Sequence, residues 1–213
     1  MLTLHEIARL EAQKKISASE ITQQTIALLA DGADVHKLDE NGETPFNIAA
    51  AASPIIGRLL TNHWLALALA GLGTKKLNDK SGSHNSTLAQ YIAKWSNAQE
   101  IEKQLDDAIF KGMNIAVQNS SGWTPLHAAC AMVGRLHAVR AFFDRYSQAQ
   151  RNFLTTEIYE TRYSESPELI RYDVNLKAAD IAKARLFYAK TLPQKNRDEL
   201  QQYINYIQSS SPN

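Results

Sequence analysis

The chain has 213 residues, 44% of them hydrophobic, with 23 Lys and Arg against 22 Asp and Glu and a formal net charge of +1. That length carries a sizeable core in one domain, and so even a charge balance argues against a general nucleic-acid or anionic-membrane binder, which shows a basic excess. One cysteine, Cys130, excludes an intrachain disulfide and points to a reducing, cytoplasmic compartment. The first seventeen residues carry Glu6, Arg9, Glu11, Lys14 and Lys15, unlike the continuous apolar centre of a secretory signal. The most apolar run, Trp64 to Leu72, is too short to span a bilayer.

In chain order, Leu4, Ile7, Ala8 and Leu10 fall near helical spacing within residues 3–15. Ser17-Ala18-Ser19-Glu20 is a capping box ahead of the apolar stripe Ile21, Ile26, Leu28 and Leu29. A tight turn follows at Asn41-Gly42, where both residues tolerate positive φ, and it closes a hairpin over His36–Gly42. Helices are predicted over Thr44–Ala52 and from Pro54 through Leu69. Gly82 marks another turn, and Thr87 or Ser86 caps a helix through Leu88, Tyr91 and Ile92. A helix with Ile101, Leu105, Ala108 and Ile109 comes next. Gly122-Trp123-Thr124-Pro125-Leu126-His127-Ala128-Ala129-Cys130 is the sharpest helix start. Thr124 is a good N-cap, and Pro125 sits at the first helical position, where its missing N–H costs nothing. That helix runs over Thr124–Met132, Gly134 turns the chain, and Leu136, Val139, Phe142 and Phe143 carry its partner. Residues 146–173 break the pattern. They hold Tyr146, Tyr159, Tyr163 and Tyr172 with Glu157, Glu160, Glu165 and Glu168, and read as an extension of the preceding helix followed by an acidic, tyrosine-rich insertion. A last helix is expected over about Gln194–Ile207, ahead of a frayed tail at 208–213.

The words of the sharp start recur. Gly42-Glu43-Thr44-Pro45-Phe46-Asn47-Ile48-Ala49-Ala50 matches it, and Gly42, Gly82 and Gly122 stand 40 residues apart. With Leu28-Leu29-Ala30-Asp31-Gly32-Ala33-Asp34-Val35-His36 ahead of the first copy, the chain resembles the ankyrin repeat family, whose period is about 33. Each unit then carries about seven extra residues. The resemblance implies an all-α helical solenoid of about five helix-turn-helix units with short β-turn hairpins, the third and last divergent, in a single domain over 1–213. Residues 1–35 would form the N-terminal capping unit, with a polar outer face. Ankyrin-type repeats so eroded and lengthened also resemble those of effector proteins of intracellular bacterial pathogens.

The resemblance implies a non-catalytic module that binds a protein partner on a concave face of hairpin tips and first helices. The module would be monomeric, with no nucleic acid, membrane insertion or cofactor. Carried over residue by residue, the partner-binding positions are Leu38, Glu40, Asn41, Glu43 and Ala51 in the second unit, and Gln118, Ser120, Ser121, Trp123, Ala131 and Met132 in the fourth. In the third unit Lys80, Ser81, Ser83 and His84 qualify by position alone. Trp123 is the foremost candidate, because a hairpin-tip tryptophan offers large, rigid contact area; packing flat on a neighbouring hairpin is the other reading of it. Two alternatives stay open: an effector acting on a host protein through the same surface, and an enzyme built on the 146–173 insertion with His127 or Cys130. Those two stand three apart on one helix face, but no second cysteine or close His–Asp partner accompanies them. The family's matching histidine bonds within the hairpin loops.

Overall fold

The computed structural model describes residues 2–73, 75–82, 85–156, 159–163, 166–188 and 190–209. In chain order the helices are α1 (Leu4–Ala12), α2 (Ala18–Ala30), α3 (Pro45–Ala52), α4 (Pro54–Leu69), α5 (Leu88–Trp95), α6 (Ile101–Phe110), α7 (Pro125–Cys130), α8 (Leu136–Arg145), α9 (Gln148–Arg151), α10 (Ala178–Tyr188) and α11 (Gln194–Ser209). Thr3, Ser17, Thr44, Thr87 and Thr124 stand in extended backbone just before α1, α2, α3, α5 and α7. Before α1, α2, α3 and α7 the serine or threonine oxygen accepts the amide three residues along, and Glu6, Glu20, Gln90 and His127 accept the amide of their own cap residue.

Helices α4 and α8 lack such a local cap and are capped across the fold. The N-terminus of α4 is met by Glu11 of α1, whose carboxylate accepts the Ile55 and Ile56 amides at 2.9 and 3.0 Å. The start of α8 is met by Glu199 of α11, which accepts from the Gly134 amide at 2.8 Å. Burial raises the Glu11 pKa, and the two amide bonds pull the other way.

The helices pack in pairs: α1 on α2, α3 on α4, α7 on α8, α10 on α11. The first helices of the pairs touch where α1 meets α3, α5 meets α7 and α7 meets α10; the second helices follow as α2, α4, α6, α8 and α11. The core runs unbroken from Leu4 and Ile7 to Tyr203 and Ile204. Phe46 stacks on Tyr91 with centroids 4.2 Å apart, and His36 meets Trp64 edge-on at 4.4 Å, so aromatic rings fill the join between the second and third pairs. There α4 approaches α5 so closely that a Cβ on Gly57 would lie 2.7 Å from the Trp95 ring.

The expected extension of the helix before residue 146 does not form. Tyr146 leaves helical backbone (φ −79°, ψ 137°) because its hydroxyl turns inward to donate to the Ile115 carbonyl at 2.7 Å. After the single turn of α9, the chain forms an antiparallel hairpin of β3 (Tyr159–Tyr163) and β4 (Ser166–Tyr172), with Tyr159 opposite Tyr172 and Thr161 opposite Ile170. The chain is thus mostly helical rather than all-α, since the insertion has a strand pair of its own besides the two-residue pair β1 (Lys80–Ser81) and β2 (Ser86–Thr87). Glu157 and Glu165, named above in the insertion, lie outside the described residues. At the other end α11 runs to Ser209, two residues into the stretch expected to fray; residues 210–213 lie outside the described residues.

The hairpin is anchored at its base. Thr155 exchanges backbone bonds with Leu176 and Asn175, and its hydroxyl donates to the Asp173 carbonyl at 2.9 Å. Gly122 has φ +75°, and a Cβ there would meet the Thr156 amide nitrogen at 2.6 Å; Gly42 has the same φ with open space around it. Gly42→Ala should therefore cost only the left-handed backbone penalty, about 1–2 kcal/mol. Gly122→Ala should cost clearly more, because the clash with Thr156 adds a packing penalty of about 1–3 kcal/mol. Denaturant midpoints of the two variants check the order.

Candidate interaction surface

In three helices the side chain at the third helical position reaches the next loop. In α3 this residue is Asn47, whose amide oxygen lies so near Gly82 that a Cβ there would overlap it. In α5 it is Gln90, which takes the Thr87 amide hydrogen and donates onward to the Trp123 carbonyl. In α7 it is His127. Its Nε2 lies 3.1 Å from the Leu176 carbonyl, which can only accept, so Nε2 carries the proton; Nδ1 is left to accept from the Thr124 amide and hydroxyl. At α1 this position is Glu6, which closes the Thr3 capping box, and His5 one residue earlier bridges the Lys37 and Glu43 carbonyls at 3.0 Å each.

A repeated loop and helix pair, stitched to its neighbour at a fixed position, is the geometry of a repeat protein. The ankyrin repeat family model matches residues 121–152, the span from the loop tip at Ser121 through α7 and α8. The chain carries an ankyrin repeat. No curated protein matches the chain.

The chemistry of this repeat is that of a scaffold. Cys130 is fully buried, and burial pushes its thiol pKa far above the ordinary value, so it has little thiolate character. Burial holds His127 neutral, with its pKa lowered to about 4, and both ring nitrogens are engaged. Among the described residues no group of His, Cys, Asp and Glu is placed to hold a metal ion. No helix among them is long and apolar enough to cross a membrane.

The candidate partner-binding residues fall into two groups. In the second unit Leu38 is 57% exposed, Glu40 and Asn41 are exposed, and Glu43 is half-buried; Ala51 lies in α3. In the fourth unit Ser120 is exposed and Gln118 and Met132 are half-buried, but Ala131 is buried. Ser121 and Trp123 are 6% and 7% exposed, away from the solvent-facing position the resemblance implies. The insertion is the physical reason. Tyr172, at the end of β4, meets the Trp123 ring edge-on with centroids 5.2 Å apart, and the Thr156 amide donates to the Ser121 carbonyl at 3.0 Å. Gln118 donates to the Leu154 carbonyl as well as to its own loop. Further along, β3 lies against α3, so the hairpin reaches from the last helix pair back to the second. In the third unit Lys80 is exposed, whereas Ser81 is buried beside His36 at 2.8 Å; Ser83 and His84 lie outside the described residues.

The sequence placed Trp123 at a loop tip but could not supply its cover, because Tyr172 is 49 residues away and nothing local pairs the two rings. His5 follows its cap Thr3 by two residues where His127 follows Thr124 by three, so the spacing of the helix-start motif does not single it out.

Burial lowers the pKa of His36, like that of His127, to about 4. The unfolded chain takes up those protons near pH 6.5. Above that pH neither state is protonated and the two sites are neutral to stability. As pH falls from about 6.5 towards 4, the unfolded state gains protons first and the folded state loses stability. Tm should therefore drop by at least about 3 °C between pH 7 and pH 5. His127→Gln, which installs the residue that α5 uses at the same place, should show a smaller drop in the same differential scanning measurement.

Proposed function

We propose that the chain is a non-catalytic protein-binding module: a helical solenoid of about five ankyrin-type units in one domain. The third and last units are divergent, residues 1–35 cap the N-terminal end, and 146–173 are an insertion. The observation that carries this reading is the ankyrin repeat match at 121–152, since ankyrin repeats are typically interaction modules. Stitched loops support it as well, because a preformed surface loses little conformational entropy on docking.

The working surface of this reading is the loop-tip and first-helix face, entered from the second unit. Leu38, Glu40, Asn41 and Glu43 present side chains there, and Ser120, Gln118 and Met132 flank the hairpin in the fourth unit. Trp123 and Ser121 act beneath the hairpin, holding it in place, rather than at the partner. In this reading the module works as a cytoplasmic monomer on a protein partner, without cofactor. A translocated effector meeting a host protein would use the same face. The buried, proton-retaining Cys130 and the doubly bonded His127 weigh against an enzyme built on them.

Immobilised protein, wild type beside a Leu38→Asp/Asn41→Ala double variant, should capture a partner from lysate that the variant loses, read by mass spectrometry. Cys130→Ser should keep that partner. If no protein is retained specifically, or if the double variant retains everything the wild type does, the module reading of this face fails.

A further inference from the structure

Each loop of the stack has a neighbour on its far side. The His36 Nδ1 meets the Ser81 hydroxyl at 2.8 Å, Asn78 bonds Gly112 and Asn114, and Thr156 bonds Ser121. On its near side, the loop at 75–82 is covered by His36 and the loop at 114–123 by Asn78. The loop at 34–43 differs: among the described residues its near side meets α1, through His5 and through an Arg9–Asp39 ion pair. Beside that contact runs a groove of about 750 Å³, bounded by the start of α1, the end of α2 and the loop itself. This volume lies within the range of ligand sites.

The floor of the groove is apolar and its rim is acidic. Leu2 and Leu28 are half-buried against the core, and Leu38 stands 57% exposed at the edge. Four carboxylates line it (Glu6, Asp34, Asp39 and Glu40) against two cations, Arg9 and Lys37. Arg9 is committed to Asp39. The surplus of negative charge around an apolar floor is local, because the chain as a whole is close to neutral. An edge carrying an exposed leucine, in a groove whose lining holds more carboxylates than cations, complements a peptide segment in which apolar side chains alternate with Lys or Arg.

Resting on the module reading above, we infer that this groove docks a basic, apolar peptide segment of a partner protein. An apolar side chain packs on Leu28 and Leu38, and flanking cations face Glu6, Asp34 and Glu40. An incoming segment takes the place on the loop at 34–43 that a neighbouring loop takes on each later one.

The test uses the full chain and two fluorescein-labelled peptides, four repeats of Lys-Leu-Ser and four of Glu-Leu-Ser, read by fluorescence anisotropy. The Lys peptide should bind, and more weakly as salt rises from about 0.05 to about 0.3 M, whereas the Glu peptide should not. Leu38→Asp and Glu40→Lys should each weaken the Lys peptide at least about fivefold, with far-UV circular dichroism unchanged. Glu40→Lys should also improve binding of the Glu peptide, a gain that no unfolding can mimic. Equal binding of the two peptides, no binding of the Lys peptide, or wild-type affinity in both variants would overturn the inference. A partner still captured from lysate, but insensitive to Glu40→Lys, would leave the module reading standing and remove this groove from it.

Discussion

The structure depends on a single recurrent stitch. A polar side chain at the third position of a first helix reaches out of its own turn to the loop of the following unit. Gln90 does this to the Trp123 carbonyl and His127 to the Leu176 carbonyl, while Asn47 crowds Gly82. Each bond satisfies a loop carbonyl that would otherwise be left without a partner, and such a group costs more when orphaned than a typical bond contributes. Gln90 and His127 differ in type, but the requirement does not: a donor that stays uncharged in a buried place. Burial enforces it on His127 by keeping the ring neutral. Loop spacing then follows from helix spacing.

The same logic explains the two cross-fold carboxylates. Helices α4 and α8 begin directly after a tight turn and have no capping side chain of their own. Glu11 and Glu199 supply one from a neighbouring helix, where a negative charge also meets the positive end of the helix dipole. Glu199 further accepts from the Tyr203 hydroxyl at 2.6 Å, and Tyr203 accepts from the Arg135 amide at 2.7 Å, so α11 is keyed to the α7–α8 turn by a polar network. Helix packing and helix initiation are thereby coupled, which is why the terminal helices belong to the stack rather than merely flanking it.

The β3–β4 hairpin changes the meaning of the ankyrin repeat at 121–152. In isolation the tip Ser121-Gly122-Trp123 would present an aromatic anchor to solvent. Here Thr156 docks on Ser121 and Gly122, and Tyr172 closes over Trp123. The opposite end of the stack, at the loop 34–43, keeps an open trough with exposed carboxylates and Leu38.

Local chemistry alone determined most helix starts and the repeat. A threonine or serine N-cap followed by proline, or by a polar residue three along, writes its outcome within four residues, so the starts of α2, α3, α5 and α7 were readable in the chain, while α1 was readable from its apolar spacing alone. The 40-residue recurrence of Gly42, Gly82 and Gly122 was readable for the same reason: a left-handed turn residue needs no tertiary context to be recognised. Tertiary structure decided what depended on residues far apart in sequence. It ended α8 at Arg145, because the Tyr146 hydroxyl finds an acceptor 31 residues back at Ile115. It set the insertion as an antiparallel hairpin, whose pairing rests on the clamp of Thr155 on Asp173, Asn175 and Leu176. It buried Trp123 as well, because the ring that covers it arrives from β4, and no periodicity in the chain encodes that meeting.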